Sequence, residues 1–130
     1  MSDMSAVAMC APPLVPDSAP IDRRHLTQMT LGEQSLEREV LELFDCQAAM
    51  LIGRMRGVEG AVVGGAVAAA MAHTLKGSAR GIGAWRVAEA AEAVEMAANG
   101  PKQMLMARIE RLDGAVAEVR TEIAGLLRAH

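Results

Sequence analysis

The sequence predicts an all-α protein, an antiparallel up-down four-helix bundle with a short extra helix at its N-terminal side. Three observations carry this. Of 130 residues 52% are hydrophobic, yet the chain has one Trp, one Phe and no Tyr, so its apolar content is the helix-favouring Ala, Leu and Met together with Val and Ile. Apolar residues recur at spacings of three and four in long runs, and Gly and Pro fall between the runs. The connections are short, which favours antiparallel neighbours.

Residues 1–20 read as a flexible tail, because Pro12, Pro13, Pro16 and Pro20 interrupt any helix. The bundle is assigned to 21–130. Asp22 is placed to cap a short helix running through Met29. After Gly32 a long helix is expected from about residue 33 to 55, with Leu36, Val40, Leu43, Phe44, Ala48, Leu51 and Met55 on its buried stripe and Glu33, Glu37 and Asp45 off it. Gly57 and Gly60 mark a turn. A third helix starts near Val62 to Ala66, its Ala-rich beginning read as closely packed helix surface. A fourth runs from Ala84 to Ala98 and stops at Asn99-Gly100-Pro101. Pro101 then suits the first position of the last helix, whose stripe is the clearest in the chain: Leu105, Ile109, Leu112, Val116, Val119, Ile123 and Leu126.

Net charge is −3, without the basic excess of a nucleic-acid binder. No apolar run reaches membrane-spanning length uninterrupted, and the start lacks a signal peptide's pattern, so the expected location is cytoplasmic. Cys10 and Cys46 read as reduced thiols, Cys46 as buried filler near the stripe. The ten methionines read as adaptable core filler. His25, His73 and His130 share no metal-ligand spacing; His25 and His130 read as surface residues. Trp85 is assigned to packing.

The third helix holds the chemistry. At about 100° per residue, Val67, Met71, Leu75, Ser78 and Ile82 form a core side, and His73 points roughly 160° to 200° away from Met71 and Leu75. Ala69, Lys76, Gly77 and Arg80 share the face of His73, and Ala70 keeps the surface low. A neutral imidazole is a competent nucleophile toward phosphorus. Lys76, one turn on, can offset the charge of an added phosphoryl group, and Arg80 extends the same field. Gly77 inside a helix costs about 1 kcal/mol relative to Ala; bare backbone there admits another protein. Singly, each of these residues is an ordinary feature of a helix surface. Gly81-Ile82-Gly83 lacks the Lys-Ser/Thr of a phosphate loop.

The run His73-Thr74-Leu75-Lys76-Gly77-Ser78-Ala79, continuing to Gly83, resembles the signature of histidine-containing phosphotransfer (HPt) domains, roughly H-x-L-K-G-S-[SA] and then a glycine. Val87, Ala91, Val94 and Glu95 resemble that family's pattern on the following helix; Ile21-Asp22 with Leu26, and Phe44 on the long helix, also fit. The resemblance spans about residues 21 to 128. It implies a four-helix bundle that relays phosphoryl groups in two-component signalling, with His73 as phospho-acceptor on its outward nitrogen, Lys76 supporting the phosphate and Gly77 leaving room for a receiver domain. In the chemotaxis-kinase branch a glutamate aligned with Glu95 holds the other ring nitrogen. Spacing alone puts Glu95 on a solvated face with Glu89 and Glu92, and Gln47 is a second candidate. Ser78, Arg80, Ala69 and Ala70 would support the site or its docking surface.

The implied protein is a carrier, not an enzyme with its own ATP site. It needs no cofactor; magnesium is expected on the partner's receiver domain. The implied partners are response-regulator receivers or hybrid kinases, met by a monomer. A degenerate module that binds such partners without carrying phosphate is the alternative. A kinase dimerisation domain would carry an acidic residue directly after the histidine, where this chain has Thr74.

Overall fold

A computed structural model describes residues 19–57 and 64–129. The tail assigned to 1–20 lies almost wholly outside these residues, as do Cys10, Gly60, Val62 and His130. The described residues form five helices and no strand: α1 Arg23–Met29, α2 Gln34–Arg56, α3 Gly65–Ile82, α4 Trp85–Met96 and α5 Lys102–Ala129. Helices α2 to α5 close a ring in which α2 packs on α3 and α5, α3 on α4, and α4 on α5, while α1 lies against α3. This is the expected helical bundle with its additional N-terminal helix.

All seven stripe residues of α5 are buried, from Leu105 to Leu126. They meet Leu41, Phe44, Leu51 and Met55 of α2 and the alanine-rich faces of α3 and α4 in a single core. The other helices depart from the expected stripes. On α2, Leu41 is fully buried, Leu43 is 64% exposed, and Leu36 and Val40 are half-buried. The run Val40-Leu41-Glu42-Leu43-Phe44 offers an apolar residue on nearly every side, so its period does not select one face. Glu37 is buried rather than off the core; it stands in the first turn of α2, where a helix favours a carboxylate. Cys46 is exposed, not buried filler.

The largest correction falls on α3. Its buried line is Ala68, Ala72, Leu75, Ala79 and Ile82. Val67 is half-exposed, and Met71 and Ser78 are only partly covered. Larger side chains drew the expected line to one edge of the true face. The alanines form its centre because α4, itself rich in buried alanine, packs closely on α3.

Helix α1 is fastened across the elbow between α3 and α4. The Asp22 carboxylate caps α1 by accepting from the His25 amide at 3.1 Å and accepts from Trp85 Nε1 at 3.0 Å. The Asp22 amide donates to the Gly83 carbonyl at 2.9 Å, and the His25 ring packs 4.8 Å from the Trp85 ring. The indole N–H is the main reason the Asp22 carboxyl lies below its ordinary range. Gly83 caps α3 with φ +82°, a left-handed conformation costly to other residues, and a Cβ there would press on the Asp22 backbone.

Candidate functional site

His73 sits midway along α3 with its side chain 72% exposed. Its Nδ1 lies 2.8 Å from Glu95 Oε2, on the last turn of α4. A carboxylate can only accept, so Nδ1 donates and carries the proton. In the neutral ring the lone pair is therefore on Nε2, the nitrogen left free of this contact.

Glu95 serves a second group. Lys76 Nζ lies 2.6 Å from Glu95 Oε1, and both side chains are largely covered, at 14% and 22% exposed. The Lys76 ammonium, a donor only, gives Oε1 a close charge-assisted contact. The Lys76 ammonium is the main cause holding the Glu95 carboxyl below its ordinary range; burial opposes it, and His73 adds to it. The solvated-face reading of Glu95 is thus overturned. Of the three α4 carboxylates, Glu95 turns to α3 and is mostly covered, while Glu89 and Glu92 remain exposed. Lys76 in turn leans on Glu95, reaching the ring through that carboxylate.

Arg80, two turns beyond His73, stands apart from this trio, 3.8 Å from Glu92 and half-exposed. Gly77 and Ala70 are exposed beside the ring, and Ala69 is partly covered. Ser78 faces away, into an apolar groove of about 510 Å³ between α3 and α2 that α1 closes at one end. Met29, Leu43, Phe44, Gln47 and Gly81 line it with Ser78. Gln47 belongs to this groove, and Glu95 holds the ring nitrogen. His73 thus stands on a crest, with an ionic cluster on its α4 side and an apolar groove toward α2.

Three elements build the groove, and its apolar lining comes largely from α2, the helix before α3, while Ala69 and Ala70 of the expected docking surface lie outside it. Leu31, directly after the groove residue Thr30, has φ +56° and is 83% exposed, a left-handed leucine displayed to solvent. The sequence signal was the large apolar residue directly before Gly32, at a helix end.

The described residues hold no group of three His, Cys, Asp or Glu side chains suited to a metal, and none of their helices is long and apolar enough to cross a membrane. The site is an exposed imidazole with a fixed tautomer, a carboxylate behind it and a cation behind that. No curated protein and no solved structure matches the chain. The pattern of the Hpt domain, however, matches residues 39–126, a stretch that holds His73, Lys76 and Glu95 and most of the bundle; the chain belongs to the Hpt domain family.

Proposed function

We propose that this protein carries a phosphoryl group on Nε2 of His73 and exchanges it with the aspartate of a receiver domain in a two-component pathway. The observation that carries the reading is the Nδ1–Glu95 contact of 2.8 Å. It leaves a lone pair on the other nitrogen of an exposed ring. Orientation of a nucleophile before its partner arrives removes entropy from the transfer step. Family membership supports phosphotransfer as the general role.

The chain contributes the acceptor and a landing surface, while ATP chemistry and magnesium belong to its partners. Ala69, Ala70 and Gly77 keep the ring's neighbourhood low, and the groove with Met29 and Leu43 at its rim offers apolar area to a docking receiver. Leu31 lies at the same end as an exposed contact. The reading takes the protein as a monomer, since one chain closes the four-helix ring, and places it in the cytoplasm, where its proposed partners' receiver domains act.

The test is to incubate the protein with a receiver domain bearing labelled acyl phosphate. Acid-labile label should appear on the wild type and not on His73→Gln. Binding of the receiver without transfer in either protein would defeat the carrier reading in favour of a module that only docks.

A further inference from the structure

We propose that Glu95 keeps the Nδ1 proton on His73 after the ring is phosphorylated, so that the loaded ring stays a good leaving group at neutral and mildly alkaline pH. This rests on the carrier reading and adds to it the state in which the phosphoryl group is held.

On loading, the Nε2 lone pair forms the N–P bond as the O–P bond of the receiver's acyl phosphate breaks, its electron pair leaving with the aspartate carboxylate. The ring then bears a positive charge, with its proton still on Nδ1. If that proton left, the bare Nδ1 lone pair would face the Glu95 oxygen across 2.8 Å, two acceptors with no hydrogen between them. If it stays, the hydrogen bond survives and becomes charge-assisted.

The surrounding charges favour retention. On α4, Glu95 is negative and is matched by Lys76 of α3 at 2.6 Å; Glu92 is matched by Arg80 at 3.8 Å. From α2 and α1, Gln47, Met29 and Thr30 line the adjacent groove without charge, and His25 is turned to the Arg80 carbonyl at 2.9 Å. The phosphoryl group, with about −1.5 to −2 charge, is left as the unbalanced neighbour of the ring. Lys76 also keeps Glu95 ionised, so the acceptor persists across the working pH range.

Discharge runs in reverse. The P–N bond breaks, its electron pair returns to Nε2, and the ring departs as neutral imidazole because Nδ1 still holds its hydrogen. A ring stripped of that hydrogen would have to leave as imidazolate, a far poorer leaving group. An unassisted imidazole titrates near about pH 6.5, so it is mostly stripped above neutrality. Glu95 is thus a positioning residue acting through His73.

The full chain can be loaded directly with phosphoramidate, a small N-phosphoryl donor, as wild type, Glu95→Gln and Lys76→Met. Nitrogen NMR of the His73 ring then reports the Nδ1 proton between about pH 6 and 8.5, and single-turnover discharge to a receiver reports the leaving group. In the wild type the proton should persist, with a discharge rate changing less than about threefold over that range. Glu95→Gln should lose the proton near neutrality and slow by roughly tenfold per pH unit above it. Lys76→Met should change the rate and keep the flat profile. A wild-type ring already stripped at about pH 7.5, or a Glu95→Gln profile that overlays the wild type, overturns the proposal. If the ring loads but no receiver discharges it, the carrier reading falls, while the NMR titration still decides whether Glu95 retains the proton.

Discussion

Helices α5 and α3 obey the same period and do different work. The buried line of α5 is seven large aliphatic side chains, whereas that of α3 is three alanines with Leu75 and Ile82. Burying one leucine or isoleucine contributes about 1.5–3 kcal/mol, and an alanine much less. What alanine gives is proximity, because two backbones can approach closely when only methyl groups separate them. The alanine-rich helices α3 and α4 pack closely, and the Glu95 carboxylate reaches both His73 and Lys76 across that seam. Bulk on one side of the bundle supplies stability, and smallness on the other sets the distance on which the chemistry depends.

Three substitutions would sharpen or break this contrast. Leu112→Ala, at a fully buried position of α5, should lower the unfolding free energy by about 2–5 kcal/mol in urea titration. Phosphoryl uptake by the fraction still folded should be unchanged; a loss there would mean that α5 also sets the site. Ala72→Leu, on the seam, should cost about 1–3 kcal/mol by overpacking and reduce uptake beyond its effect on folding, because it separates α3 from α4. Uptake that merely tracks stability would show that the seam's tightness is irrelevant. Gly77→Ala should have the smallest effect and the opposite sign, stabilising by about 0.5–1 kcal/mol, since an added Cβ meets nothing within 4 Å. Its Kd for a receiver, measured by calorimetry, should rise; an unchanged Kd would remove docking as the reason for that glycine.

The same contrast explains what could be read from the chain. In α5 large aliphatic residues recur at alternating steps of four and three, and that period picks out one face from Leu105 to Leu126. In α3, Ala68, Ala72 and Ala79 fit a surface as well as a core by composition, so Val67 and Met71 drew the expected face to its edge. His73 and Lys76 were visible because an imidazole and a cation stand out among alanines. By spacing alone Glu95 was one of three carboxylates three residues apart along α4, and only the family resemblance singled it out. Which of them meets the ring depends on how two helices cross, and spacing within one helix holds no such information. The shape of the groove between α2 and α3 depends on helix crossing in the same way.

The first turn of α3 carries a further consequence. Gly65 rests on the Ala98 carbonyl so closely that any Cβ would collide with it. A helix is a stiff rod rising about 1.5 Å per residue, so this seat sets the height of everything above it. His73 stands eight residues, about 12 Å, along that rod, and Glu95 hangs from the neighbouring one only three residues before Ala98. Gly65 is thus the datum from which the ring and its carboxylate are levelled, and evolution could retune their meeting from the far end of the helix without touching either.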